Sequence, residues 1–145
     1  MLKVGDKIPI FDSSLDVLSN GYTHHGDNND SVITYGNFYG THFLFTGDLE
    51  KKGELELLKQ YPTLKVDVLK AGHHGSKTSS APEFINAIQP KIALISVGKN
   101  NRYGHPNQET LVTFKKYHVA VFRTDQHGAI ALTNRLKKWQ MTTVK

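Results

Sequence analysis

A chain of 145 residues fits one domain, and its 38% hydrophobic content is enough for a buried core. The absence of cysteine excludes disulfides, thiolate metal sites and thiol nucleophiles. Eighteen Lys and Arg against thirteen Asp and Glu give a net charge of +5, with eight histidines besides. That balance permits an anionic partner such as nucleic acid without requiring one.

No apolar run approaches the roughly 18 residues of a spanning helix, and the opening MLKVGDKIPIFD lacks the apolar centre of a signal peptide. Leu15, Val17 and Leu18 predict a short strand. The stretch 19-SNGYTHHGDNND-30 is dense in Asn, Asp, Gly and His and reads as an exposed loop, with His24 and His25 as exposed loop residues. The β-rich runs 31-SVITY-35 and 42-HFLFT-46, separated by Gly36, Asn37 and Gly40, predict a hairpin. In 50-EKKGELELLKQY-61, Leu55, Leu57 and Leu58 among charges predict an amphipathic helix stopped before Pro62.

A buried strand is predicted at 66-VDVLK-70, and Phe84, Ile85 and Ile88 after Pro82 mark a second helix ending before Pro90. Then follow 91-KIALISV-97 as strand, 106-PNQETLVTFKKY-117 as a helix opening on Pro106, and strands at 119-VAVFRT-124 and 128-GAIALT-133. The order from Glu50 onward is α, β, α, β, α, β with a closing hairpin, which predicts an α/β layered domain with helices packed on a sheet. The polar residues collect after strand ends, in 46-TGD-48, 72-GHHGSK-77 and 98-GKNNRYGHP-106. Ligands of open α/β sheets gather there.

Three features carry chemistry. Asp48 ends an apolar strand after a glycine, as a site carboxylate or as a turn residue or helix N-cap. His73 and His74 close a buried strand between Gly72 and Gly75, and imidazole serves both as metal ligand and as proton carrier. Strand alternation sends neighbours to opposite sides, so one histidine faces a site while the other supports it. The loop 99-KNNRYGHP-106 mixes cations with Asn100, Asn101, Tyr103 and His105, the donors a phosphate prefers, or else is a solvated loop making turns.

Taken in order, 28-NNDSVITYG-36, 43-FLFTGDLE-50, 66-VDVLKAGHHGSKTS-79, 90-PKIALISVGKNNRYGHP-106 and 123-RTDQHGAI-130 resemble the metallo-β-lactamase superfamily. The resemblance is to the domain at the C-terminal end of ComEC-type DNA-internalisation competence proteins. It implies an αββα sandwich with a mixed sheet and flanking helices, and metal-dependent hydrolysis of phosphodiesters. By that resemblance Asp48 and His74 are metal ligands, with Mn or Zn as the divalent cation, and His73 faces substrate or supports the ligands. His105 becomes a proton carrier or further ligand. Ser76, Lys77, Asn100, Arg102 and Tyr103 become substrate contacts. In this scheme two cations clamp the phosphodiester, one of them activating a water.

The family's His-x-His-x-Asp-His motif has no counterpart in these residues, and Asn28, Asn29 and Asp30 stand where many members carry another histidine. The expectation is therefore a partial domain over residues 1–145, weak or lacking in metal binding and inactive alone, exposing apolar surface through which it self-associates. The implied partners are single-stranded DNA and the membrane-channel part of the same bacterial membrane protein. The alternatives are a non-catalytic DNA-binding module of the uptake channel, or part of a stand-alone metallo-hydrolase.

Overall fold

A computed structural model describes residues 2–21, 27–135 and 138–144. The expectation for His24 and His25 lies outside the described residues. Among the described residues nine strands and four α-helices follow in chain order, with 3-10 turns at Asn28–Asp30 and Gly72–Gly75. They are β1 Lys7–Ile10, β2 Ser13–Asn20, β3 Val32–Phe38, β4 Thr41–Phe45, α1 Lys51–Gln60, β5 Val68–Lys70 and α2 Pro82–Ile88. Then come β6 Ile92–Ile95, α3 Gln108–Lys116, β7 Ala120–Arg123, α4 Thr124–His127, β8 Ala129–Arg135 and β9 Lys138–Val144. No helix among the described residues is long and apolar enough to cross a membrane.

One seven-stranded mixed sheet runs in sequence order from β1 to β7, antiparallel through β4 and parallel from β4 to β7. The parallel crossovers all step in one direction. With the right-handed sense that twisted strands impose, α1, α2 and α3 therefore cover the same face. Leu44, Leu69, Ala93 and Ile95 of the strands meet Leu57, Phe84, Ile85, Ile88 and Phe114 of the helices, all essentially buried. Each large side chain buried there contributes about 1.5–3 kcal/mol. Phe43, alternating with Leu44, points to the opposite face, where Trp139 meets it edge-on at 5.3 Å between ring centres. Trp139 belongs to the β8–β9 hairpin, a separate two-stranded sheet. The layers are thus helices, main sheet and small sheet, which matches the expected mixed sheet with flanking helices.

Two expectations shift. The strand at 128–133 pairs with β9 and not with β7, because the helical turn Thr124–His127 intervenes. The helix expected to open on Pro106 begins at Gln108, where Asn107 caps it by accepting the Glu109 N–H at 3.0 Å. The three parallel strand ends then deliver Thr46–Asp48, Ala71–Ser76 and Ser96–His105 to one rim of the sheet. There the backbones run close. A Cβ at Gly72 would stand 2.7 Å from the Leu49 carbonyl oxygen, so this crossing admits glycine alone.

Candidate functional site

Asp48 follows β4 by three residues and is not a helix cap; the N-cap of α1 is Glu50, without a side-chain cap bond of its own. The capping contact comes from elsewhere. Asn29 Oδ1 accepts the N–H groups of Glu50 at 3.3 Å and Gly53 at 3.1 Å. The Ser31 hydroxyl accepts the Asp48 N–H at 3.0 Å, so the 28–31 segment fixes both the helix start and the aspartate.

After β5 the chain makes a tight turn, Gly72–Gly75, in which both histidines are left-handed, His73 at φ 44° and His74 at φ 54°. Side chains other than glycine reach that region at a cost. Here it splits the pair. His74 Nε2 lies 3.7 Å from Asp48 Oδ1, and both side chains are about half exposed. His73 Nδ1 turns to Asn28 Nδ2 at 3.3 Å and Glu50 Oε1 at 3.6 Å. Glu50 Oε1 also accepts from Asn28 at 3.1 Å and from the Thr78 hydroxyl at 2.9 Å.

The tautomer of His74 follows from its other nitrogen. Nδ1 is 2.7 Å from the Ser96 carbonyl oxygen, which only accepts, so Nδ1 carries the proton and donates. The lone pair of Nε2 in the neutral ring then faces a carboxylate oxygen. Two acceptors set opposite each other are relieved by a cation or a proton between them. Two ligands of one tetrahedral zinc stand roughly 3.4 Å apart, close to the separation seen here. The pair thus suits a divalent cation in kind and spacing, but not in number. Among the described residues no group of three or more His, Asp or Glu side chains comes together as a metal cage, and a zinc site usually takes at least three protein ligands.

Three further rings lie near His74. His73 stands 6.4 Å from it, His105 stands 5.7 Å from His73 at 68°, and Tyr103 stacks on His105 at 5.9 Å and 20°. His105 Nδ1 is buried and has no hydrogen-bond partner among the described residues. Burial, with His73 and His74 adding to it, holds the His105 pKa below its ordinary value, which favours the neutral ring. Lys70, at the end of β5, is likewise pushed down by burial, while Asp48 pulls it back up. Its ammonium donates to the Ala71 carbonyl at 3.0 Å.

The other expected contacts divide. Tyr103 lines a cleft of about 200 Å³ with His74, Val97, Gly98, Asn101 and His105. Lys99, Asn100 and Arg102 are exposed on the same loop. Lys77 is exposed too, but it lines a different hollow with Lys51 and Ser80. Ser76 is 5% exposed and built into the turn: its hydroxyl contacts Thr78 Oγ1 at 3.0 Å and its carbonyl accepts from Thr110 and Ser79. Through these bonds Ser76 braces the turn.

Sequence reasoning missed Asn28, Glu50, Ser31 and the Ser96 carbonyl. Asn28 reads as exposed loop, Ser31 as strand and Glu50 as the start of a helix, and a carbonyl leaves no trace in residue type. It also missed what Asn101 does. Its amide donates to the carbonyls of Gly98 at 3.2 Å and His105 at 2.7 Å, and its oxygen accepts the His105 N–H at 2.9 Å.

Residues 2–99 match the family described as the metallo-beta-lactamase superfamily. Among curated proteins, the chain is 46% identical to "ComE operon protein 3" of Bacillus subtilis (strain 168) over 89% of its own length and 17% of that protein. It is 39% identical to "Competence protein ComA" of Neisseria gonorrhoeae, over 72% of the chain and 15% of the relative. "Recombination protein 2" of Haemophilus influenzae is 33% identical over 72% of the chain and 13% of the relative. The chain thus spans about a sixth or less of the length of these relatives.

Proposed function

Because this chain belongs to the metallo-β-lactamase superfamily, we propose that it supplies one corner of a metal-dependent site that hydrolyses phosphodiesters of incoming DNA during bacterial DNA uptake. The observation that carries the reading is the Asp48–His74 pair: a carboxylate and an imidazole lone pair, 3.7 Å apart, with the imidazole locked from behind by Ser96. Superfamily members generally bind divalent metals, and Mn or Zn is the expected ion. The remaining ligands come from elsewhere in the longer parent protein, so this chain alone hydrolyses DNA weakly or not at all.

The competence designation of the Neisseria relative supports the place in DNA uptake. On this reading the domain is attached to the channel-forming part of the same membrane protein, its partner besides single-stranded DNA. Val32 and Phe45 stand exposed on β3 and β4, and Phe11 and Tyr39 in the turns after β1 and β3. Self-association through them follows, and light scattering at rising concentration measures it.

The direct test is a calorimetric titration of the chain with Mn²⁺ and Zn²⁺, repeated on His74→Ala, Asp48→Ala and a His24→Ala/His25→Ala double variant. Binding weakened at least tenfold by either single substitution is expected. Binding indifferent to both would sink the site. A second reading, a non-catalytic DNA-binding module, is favoured by the lack of a three-ligand group among the described residues. It predicts that the whole parent protein binds DNA yet leaves it uncut with either metal.

A further inference from the structure

His74, the partner of Asp48, also lines a cleft that carries an aromatic ring, Tyr103. Tyr103 is 83% exposed, unusual for a tyrosine with no strand or helix to carry it. The ring is nevertheless not loose. It lies nearly parallel to His105 at 5.9 Å, and the His105 backbone is gripped on both its N–H and its carbonyl by Asn101. Asn101 also ties the start of the loop by donating to Gly98. A flat aromatic face is thus presented to solvent in a fixed orientation, at little further loss of freedom when something binds it.

The cleft between Tyr103 and His74 has about 200 Å³ of space, with Val97 and Gly98 among its walls. A dry cavity of about 150 Å³ admits benzene, so a flat heterocycle fits in size. Exposed cations flank the ring in sequence, Arg102 beside it and Lys99 next to Gly98. Lys99 also borders a second hollow, of about 540 Å³, with Thr124, Asp125, Gln126 and Gly128. One flat face, a slot of ring dimensions and exposed cations at nearby positions of the same loop suit a base with its neighbouring phosphates.

We propose that Tyr103 is a stacking platform for an unpaired nucleobase, which enters the cleft beside His74. The inference rests on the phosphodiesterase reading of the same site and adds the form of the substrate. A base inside a duplex has both faces covered by its neighbours, so only a single strand, or an end or splayed position, offers a face to Tyr103. Stacking reads no sequence, because every base has a π-face. Selection between bases is therefore weak, and selection of single strand over duplex is strong.

The test is fluorescence anisotropy with the full chain in EDTA, where cleavage cannot interfere. The probes are a short labelled DNA single strand, the same strand carrying abasic sites with its phosphates intact, the matching duplex, and an RNA of the same sequence. Wild type is expected to prefer the base-bearing DNA strand over both the abasic strand and the duplex by roughly 5- to 100-fold. Tyr103→Ala loses that preference, and Tyr103→Phe and Tyr103→Trp keep it. Equal binding of abasic and base-bearing strands overturns the inference. So does a preference that survives Tyr103→Ala, duplex bound as tightly as single strand, or no measurable binding of any probe. Tighter binding of RNA overturns DNA as the source of the base. The two readings fail separately: weakened metal binding in Asp48→Ala, read by calorimetry, tests the metal site, and the base preference in EDTA, lost in Tyr103→Ala, tests the platform.

Discussion

Glu54 Oε2 accepts the backbone N–H of Ala81 at 2.7 Å, across 27 residues of sequence. Its second oxygen, Oε1, accepts the Ser80 N–H, also at 2.7 Å. Glu54 sits on α1 and is 1% exposed. One buried carboxyl therefore fastens that helix to the segment that carries the chain from the His73–His74 turn into α2. Burial pushes its pKa up to about 7 from an ordinary 4.5, against the pull of the two amide bonds and of Lys51.

A folded-state pKa above the unfolded value means that the folded chain holds the proton more tightly. The stability this contributes is complete below 4.5 and is lost as pH rises through about 7. The expected loss is on the order of 2–3 kcal/mol. His105 acts with opposite sign, since its folded pKa lies below its ordinary 6.5 and stability from it grows as pH rises toward that value. Comparing urea midpoints of wild type and Glu54→Gln at pH 5 and 7.5 cancels the shared His105 part. Wild type should lose stability relative to the variant over that interval, and a constant difference would contradict the buried-acid account.

Asn29 caps α1 from a distant turn, with its side-chain oxygen on the N–H groups of Glu50 and Gly53. Asn29→Ala leaves both donors without this partner and should cost about 1–2 kcal/mol, the range of lost helix caps. Asn29→Asp keeps the acceptor and adds a favourable charge at the helix start, so it should cost much less. Chemical denaturation of the two variants distinguishes them. Equal losses would show that the amide nitrogen, and not the oxygen, matters.

The turn that separates His73 from His74 holds both in the left-handed region. Glycine enters that region freely, whereas alanine pays the same steric cost as histidine. Comparing His73→Gly with His73→Ala removes the imidazole in both cases and isolates the backbone. The glycine variant should be the more stable by about 1 kcal/mol. Thermal melts reversing that order would mean that the turn relaxes in solution, and with it the orientation of His74 toward Asp48.

The sheet and its crossover helices were legible because Leu57, Phe84, Ile88 and Phe114 fall at helical spacing between apolar strand runs. The edges were not. Strand β1 is only KIPI, with a proline inside and alternate residues exposed, and β9 is KWQMTTV, polar at most positions. Periodicity also misassigned a charge. The stretch 50–61 invites Leu55 inward, yet Leu55 is exposed and Glu54 is buried, because two amides of the Ser80–Ala81 bend await an acceptor there. At the site, strand-end placement pointed to Asp48 and the histidine pair. It could not tell which histidine turns toward Asp48, since that depends on two left-handed backbone angles and a carbonyl at Ser96.

Asn101 is the residue on which the loop geometry turns, through one bond to Gly98 and two to His105. Its side-chain bonds run to Gly98 and His105, and it also lines the cleft, so it acts on binding through its neighbours and at the cleft wall. Asn101→Ala removes all three bonds and frees the loop, and it should weaken single-strand binding although Tyr103 remains. Asn101→Asp keeps an acceptor for the His105 N–H but sets carboxylate oxygen against two carbonyls, so it should rescue little. Near-wild-type anisotropy for Asn101→Ala would mean that the stack of Tyr103 on His105 holds without its support. Each variant should cost about 1–3 kcal/mol of stability, the range of a lost partner at a buried polar group. A stability loss without a binding loss would place Asn101 in the fold and outside the interface.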